Sequence, residues 1–177
     1  MNQQLLNFYR GTSPDVRERF IHQIWGWGFD KLEGVHDYIQ WLFPSARPSQ
    51  FNEQAPLLDS ETVAVFSADA DLKRRLLRSL ETMLPFYGLE LTDTSDSQPA
   101  IAKGSNYDER EANWQEAPQG YLNHNLLRLT RILEALRLLG LPEYAKALFT
   151  CLEAIQEADP ENIPAKTLGF WRQAAGL

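Results

Sequence analysis

Cysteine and histidine are scarce in this chain of 177 residues, which contains one cysteine and three histidines. Because Cys151 is alone, no internal disulfide can form, and a reducing compartment is expected. The apolar neighbours of Cys151 favour a role as a small core side chain over a role as a nucleophile. The sequence also lacks a paired-cysteine metal motif, a glycine-rich phosphate loop and a nucleophile elbow. We therefore predict no cofactor, no bound metal and no catalytic residue.

Positive charge and long apolar runs are also in short supply. The formal net charge is -7, which disfavours non-specific binding to nucleic acid and to anionic membranes. No run of about 18 apolar residues occurs, so no transmembrane segment is expected. The first residues, MNQQLLNFYRG, lack the basic start of a signal peptide. These absences predict a soluble, cytoplasmic protein with no nucleic-acid partner.

Apolar residues make up 44% of the chain and charged residues 23%, as in an ordinary globular protein that is long enough to bury a core. The apolar residues recur at helical spacing, and no alternating strand pattern of any length or internal repeat is visible. We therefore predict an all-α fold, a single-domain bundle of about six to eight helices covering residues 1–177. The segment near 92–105, rich in Ser, Asp and Thr, is predicted to be a flexible loop.

The stretch 30–44, DKLEGVHDYIQWLFP, is predicted to be a central helix. Asp30 and Glu33 have the spacing of a capping box, and Pro44 is expected to end the helix. Before it, a capping sequence with Pro14 at the first helical position predicts a helix over 14–25. A short turn joins these two segments, so an antiparallel pair of helices is expected.

Further helices are predicted from apolar spacing and capping residues. They are a short N-terminal helix stopped by Gly11, one beginning at Ser60, a longer one after Asp69 that ends near Pro85 and Gly88, a turn of helix within 107–114, one capped by Asn123 and ended by Gly140, one beginning at Pro142, and a last turn or two around Phe170.

The three histidines, His22, His36 and His124, are candidate site residues. One interpretation lets them converge as metal ligands, since imidazole is a common zinc ligand. However, no two of them stand three or four residues apart, and no cysteine accompanies them. We favour the alternative that each is a structural histidine bonded to a carbonyl or a carboxylate. The partner of His36 is expected to come from outside its own helix.

His124, Arg128 and Arg131 are separated by four and then three residues, which places them on one face of a helix. This cationic stripe could hold an anion, either a phosphate or the terminal carboxylate of a peptide. The alternative, which we favour, is that the arginines pair with internal acids such as Asp37 or Glu33 and join two helices.

Tyr38 and Trp41, with Trp25 and Trp27, form a dense aromatic group in the sequence. We interpret them as residues of the core and its edge, with a wall of a pocket for an aromatic-bearing peptide as the alternative. The basic cluster at 73–78 is interpreted as a solvated helix face.

Several strings along the chain together resemble the conserved domain of the opioid growth factor receptor family. In chain order they are FYRG, IHQIW, DKLEGVHDYIQWLFP, RLLRSLETMLPFYGLEL, NYDER and NHNLLRLTRILEALRLLGL. The resemblance extends from the first ten residues to about Ile155. Pro85 departs from the family pattern, in which a small flexible residue is usual at this position.

The resemblance implies a peptide-binding receptor domain that recognises an enkephalin-like peptide and associates with the nuclear or membrane periphery. Animal members continue into long polar repeats, which this chain lacks, so a stand-alone domain is expected. On this basis we predict a non-enzymatic module that binds a peptide, a small anionic ligand or a protein partner. The candidate ligand-binding residues are His22, His36, Tyr38, Trp41, His124, Arg128 and Arg131. Two alternatives stay open: a metal-dependent enzyme that uses the His/Arg cluster on a small anionic substrate, and a structural subunit of a larger assembly.

Overall fold

The computed structural model describes residues 1–49, 52–114 and 123–177, and most of this part of the chain is helical. In chain order its helices are α1 (Gln3–Arg10), α2 (Ile21–Trp25), α3 (Phe29–Gly34), α4 (Ile39–Leu42), α5 (Ser60–Ala68), α6 (Ala70–Phe86), a 3-10 helix (Asp108–Asn113), α7 (His124–Leu138), α8 (Pro142–Ala158) and α9 (Ala165–Ala175). Two strands, β1 (Leu89–Asp93) and β2 (Ala100–Lys103), lie between α6 and the 3-10 helix.

The prediction of an all-α fold is wrong, because β1 and β2 pair as a two-stranded antiparallel sheet. Leu89 lies opposite Lys103 and Leu91 opposite Ile101, with a bulge directly after Leu91. Gly88, at φ 72°, turns the chain from α6 into β1, and the sheet packs against α6 and α8. Each strand buries a single residue, Leu89 or Ile101, so neither shows a readable alternation of apolar and polar residues. The fold is helix-rich but mixed, and β2 lies inside the segment predicted to be a loop.

The predicted helix over 30–44 is in fact two short helices, α3 and α4, with an irregular stretch between them. Val35 leaves α3 in an extended conformation. Arg128, from α7, donates a hydrogen bond from Nη1 to the carbonyl of Leu32 at 3.0 Å. Its Nη2 donates to the carbonyls of Glu33 and Val35, at 3.4 and 3.2 Å. In a longer helix these carbonyls would accept hydrogen bonds from the amides of the next turn. Because Arg128 donates to them instead, the helix can end here without leaving them unsatisfied.

The helix predicted over 14–25 is also shorter than expected, because α2 begins only at Ile21. Upstream of it, the buried carboxylate of Asp15 accepts hydrogen bonds from the backbone amides of Arg17 and Arg19, at 2.8 and 3.0 Å. The guanidinium of Arg19 also donates to Asp15, at 2.7 Å. A short acidic side chain that bonds nearby amides offers the backbone an alternative to a helix, and here it holds the chain in turns.

The helices predicted in the second half of the chain are present. The side chain of Asn123 accepts a hydrogen bond from the amide of Asn125 at the start of α7, and Pro142 begins α8. α7 packs against both α8 and α9. The Trp171 indole of α9 donates to the carbonyl of Leu126 in α7, at 3.1 Å, which fixes the two helices relative to each other.

The buried apolar residues of both halves form one hydrophobic cluster, which extends from Leu5 in α1 to Ala175 in α9. No helix within the described ranges is both long and apolar enough to cross a membrane.

Candidate functional site

A cleft of about 690 Å³ lies between one face of α7 and the chain segment around α4; we name it the α7 cleft. Its volume is typical of small-molecule and peptide sites, which run from about 300 to 1,000 Å³. The residues that line it include His36, Asp37, Gln40, Ser45 and Arg47 from the α4 segment, His124, Leu127, Thr130, Arg131 and Glu134 from α7, and also Arg17 and Arg128. Four arginines therefore face this cleft in a protein whose net charge is -7.

Arg128 lies at the buried end of the cleft, where it holds the end of α3. Its side chain is 4% exposed, and Nη1 also donates to Asn125 Oδ1 at 3.1 Å. Nη1 is 3.6 Å from the carboxylate of Glu33, as the interpretation of the arginines as helix-joining residues predicts. Because the main chain and Asn125 use most of its donors, Arg128 has little left to offer a ligand.

His124 and His36 lie next to each other at the mouth of the cleft, with ring centroids 5.0 Å apart. His124 Nε2 is 3.1 Å from the carboxylate of Glu33, close enough for an ion pair but without the alignment of a hydrogen bond. Burial, followed by the positive charge of Arg128, lowers the pKa of His124, and the attraction of Glu33 opposes this effect. The fold therefore favours a neutral imidazole at this position.

Arg131 lies about one helical turn after Arg128 on α7. Among the described residues it has fewer charged partners than the other arginines of the cleft. In the described part of the chain its one hydrogen bond is from Nη1 to the carbonyl of Phe43, at 3.4 Å. No carboxylate of the described residues comes within ion-pair distance of it. Burial lowers the pKa of Arg131 and the nearby charge of Arg47 adds to this, while Glu134 opposes it.

The other two arginines of the cleft are paired. Arg47 contacts Glu134 at 3.3 Å, and Glu134 also accepts a hydrogen bond from the hydroxyl of Ser45 at 2.9 Å. Arg17 contacts Asp37 at 3.2 Å. Asp37 therefore pairs with arginines of the preceding segment, and not with Arg128 or Arg131 as one interpretation of the sequence proposed.

Asp37 also binds Arg19, at 2.7 Å, and so lies between two guanidiniums. Burial acts to raise the pKa of Asp37, but the hydrogen bonds and charge of Arg19 outweigh it, with a further contribution from Arg17, and the pKa is lowered. Asp37 is thus a carboxylate held ionised by its own neighbours.

Three of the predicted site residues do not line the α7 cleft. His22 is exposed and stacks on Phe20, with ring centroids 5.6 Å apart. Tyr38 is buried, and its hydroxyl donates to the carbonyl of Leu32 at 3.0 Å. Trp41 is 1% exposed and packs against Phe8 in the core. The interpretation of the aromatic residues as core therefore describes Tyr38 and Trp41 better than a pocket wall does.

Trp27 belongs to a different, smaller hollow of about 370 Å³, which Arg19, Lys31 and Val35 also line. Lys31 Nζ lies 4.3 Å from the centroid of the Trp27 ring, a cation–π contact. The aromatic group and the histidine–arginine stripe thus do not share one groove.

The structure brings together two of the three histidines, His36 and His124, but not His22. Among residues 1–49, 52–114 and 123–177, no group of three or more His, Cys, Asp or Glu side chains has an arrangement that could hold a metal ion. Cys151 is 8% exposed, and burial raises the pKa of its thiol to about 11, which disfavours the reactive thiolate.

Sequence reasoning missed Leu127, Ser45, Arg47 and Glu134 as cleft residues. A signal for two of them exists: Leu127, Arg131 and Glu134 are spaced by four and three residues, so they share a face of α7. Leu127 is 41% exposed and breaks the apolar pattern of a buried stripe. Ser45 and Arg47 have no such signal, because their position depends on how the chain leaves α4.

Comparison with known proteins identifies the family. The family model described as the opioid growth factor receptor (OGFr) conserved region matches residues 2–175. This chain belongs to the opioid growth factor receptor family. The resemblance read from the sequence is confirmed, and it extends past Ile155 almost to the last residue.

The curated relatives of this OGFr family member include receptors and receptor-like proteins. Human opioid growth factor receptor is 38% identical over 149 residues, which cover 81% of this chain and 20% of the human protein. Mouse opioid growth factor receptor-like protein 1 is 32% identical over 172 residues, 94% of this chain and 35% of the mouse protein. The OGFr family member thus spans about a fifth to a third of the relatives' length. No solved structure matches the chain.

Proposed function

We propose that this OGFr family member is a non-enzymatic binding module and that the α7 cleft is where it binds a peptide. The observation that supports this most directly is the composition of the cleft. An exposed leucine, Leu127, lies among four arginines in a concavity of about 690 Å³. Peptides offer both an apolar surface and anionic groups, so this combination suits them better than it suits an uncharged metabolite.

The names of the relatives support the same proposal. The human and mouse proteins are named as receptors for an opioid growth factor or as like such receptors. An enkephalin-type peptide is therefore the first ligand to test. Residence in the cytoplasm stays a prediction, and association with the nuclear periphery stays a prediction from the family resemblance.

Isothermal titration calorimetry with an enkephalin-type pentapeptide tests the proposal. The wild-type chain is expected to bind saturably, and Leu127→Asp to weaken binding by about tenfold or more, because a charge replaces an apolar contact. Phe170→Asp is the matched control, since Phe170 is 48% exposed on α9, outside the cleft. Unchanged affinity in Leu127→Asp, or equal losses in both variants, contradicts the assignment of the cleft.

A further inference from the structure

Among the described residues, the α7 cleft and its border contain one more guanidinium than carboxylates: Arg17, Arg19, Arg47, Arg128 and Arg131 against Asp15, Glu33, Asp37 and Glu134. Arg17 and Arg19 share Asp37, Arg19 also pairs with Asp15, and Arg128 pairs with Glu33 at the buried end of the cleft. Glu134 serves two arginines: it is in contact with Arg47 and attracts Arg131 from beyond ion-pair distance.

Arg131 is the residue at which this excess charge is located. Within residues 1–49, 52–114 and 123–177 its guanidinium has one long hydrogen bond, of 3.4 Å to the carbonyl of Phe43, and the rest of its five N–H donors have no partner there. A partly buried guanidinium with free donors is a strong site for an oxyanion, because it can form two parallel, charge-assisted hydrogen bonds.

The surroundings of Arg131 select among oxyanions. Leu127 lies one helical turn before it on the same face of α7, is 41% exposed and lines the same cleft. An anion bound to Arg131 thus has an apolar neighbour, which favours an organic acid with an aliphatic or aromatic body. One excess positive charge matches a singly charged carboxylate, whereas a doubly charged phosphate would leave a negative charge facing Glu134.

We propose that Arg131 anchors a single carboxylate on an apolar body, such as the carboxyl end of a peptide, and that Leu127 contacts that body. This inference rests on the proposed function, because it assigns the group of the ligand that the cleft recognises. Arg128 is not the anchor, since it is engaged with the main chain at the end of α3.

Two-dimensional NMR titrations of the full chain with sodium butyrate, sodium phosphate and sodium chloride at matched ionic strength test the proposal. Butyrate is expected to shift the Leu127 amide and the Arg131 side-chain resonance saturably, with phosphate weaker and chloride without a saturable effect. In Arg131→Gln the dissociation constant for butyrate is expected to rise by about tenfold or more, as for loss of a charge-assisted hydrogen bond.

Arg137→Gln is the matched control. Arg137 also lies on α7, is partly buried and donates one hydrogen bond to a main-chain carbonyl, that of Ala174, at 2.9 Å. It does not line the cleft, so this variant should bind butyrate like the wild type. Saturable butyrate shifts that persist in Arg131→Gln, or tighter binding of phosphate than of butyrate, overturn the inference, and so do butyrate shifts no larger than those of chloride.

The pentapeptide separates this inference from the proposed function. If the peptide binds in the cleft but its C-terminally amidated form binds equally well, the carboxylate anchor is wrong and the binding module stands. If Arg131→Gln weakens the binding of butyrate while the pentapeptide does not bind to the wild type, the carboxylate anchor stands and the assignment of the cleft to a peptide is wrong.

Discussion

At the scale of single residues, the arginines on α7 have different roles although their sequence pattern treats them alike. The Arg128 side chain is 4% exposed and satisfies the carbonyls at the end of α3, whereas Arg131 faces the cleft and uses one of its five N–H donors on a described residue. The pattern of spacing places both on one face of α7. The spacing could not distinguish the role of Arg128 from that of Arg131, because the roles depend on which backbone carbonyls of the α3–α4 segment lie near each guanidinium.

Replacing Arg128 with alanine is expected to destabilise the fold by about 3 kcal/mol, because buried carbonyls and the Glu33 carboxylate would lose their partner. Urea denaturation measures this free energy of unfolding. Arg172→Ala is the control: Arg172 pairs with Glu153 on the surface, so the loss there should be below about 1 kcal/mol. A Arg128→Ala variant as stable as the wild type would show that Arg128 is not structural and is available to a ligand.

His124 gives stability a dependence on pH that can be assigned to one residue. Its pKa in the fold is below the ordinary value of 6.5, because burial and Arg128 disfavour the imidazolium more than Glu33 favours it. Below about pH 6.5 the unfolded chain therefore takes up a proton that the folded chain resists, and stability falls as the pH falls. The pKa values of Asp37 and Asp59 are lowered, so these carboxylates titrate below this window.

We expect the free energy of unfolding to decrease between about pH 7.5 and pH 5.5, and to decrease less in His124→Gln, which cannot titrate. Thermal or urea denaturation at the two pH values measures the difference. An unchanged slope in His124→Gln would show that its titration is not linked to folding.

At the scale of elements, the sequence correctly predicts the long helices that have clear start signals. The prediction fails for segments whose secondary structure depends on tertiary contacts. α6 and α7 begin at the capping side chains of Asp69 and Asn123, α8 begins at Pro142, and all three have apolar stripes; each is present. The segment 30–44 has a helical apolar spacing as well, yet it breaks after Gly34. The donors that make this break possible come from Arg128, about a hundred residues later in the sequence, and no local pattern contains that information.

The break also explains why the sequence could not decide whether Tyr38 and Trp41 lie in the core or at its edge. A continuous helix over 30–44 would put Tyr38 and Trp41 on a face beside the buried stripe. Because α3 ends at Gly34 and α4 begins only at Ile39, the helical register is lost between them, and both side chains are buried in the core.

Two glycines at element boundaries are expected to respond in opposite directions to alanine. Gly34 ends α3, and a Cβ there would meet no atom within 4 Å, so Gly34→Ala should stabilise the fold by about 0.5 kcal/mol. Gly88 has φ 72°, and a Cβ there would lie 2.6 Å from Tyr107 Cα. Gly88→Ala should therefore destabilise the fold by about 2 kcal/mol or more.

Chemical denaturation of both variants against the wild type measures these changes. The contrast matters more than either value, since both variants add the same methyl group. A stable Gly88→Ala chain would mean that the turn from α6 into β1 differs from the one described.

At the scale of the whole molecule, the α7 cleft exists because the two halves of the chain meet along α7. The second half supplies α7 and supports it with α8 and α9, while the first half supplies the α4 segment that faces it. The sequence predicted the cationic face of α7 and pairs of Arg128 and Arg131 with acids such as Asp37 or Glu33, of which the described residues contain only Arg128 with Glu33. It could not predict the cleft itself, since a concavity depends on the path of the chain between α4 and α5.

The sheet is the other feature that emerged only from the whole molecule. β1 and β2 pack against α6 and α8, and those contacts stabilise strands too short to be recognised alone. The family membership, by contrast, could be predicted from short strings of sequence, because recognising those strings requires no knowledge of contacts between distant segments.

The central claim is that the α7 cleft binds the ligand, and NMR mapping of an enkephalin-type pentapeptide on the full chain tests it most directly. The account predicts saturable shifts centred on His36, His124, Leu127 and Arg131. Saturable shifts centred instead on the hollow beside Trp27, or no saturable shift in any resonance, would contradict it.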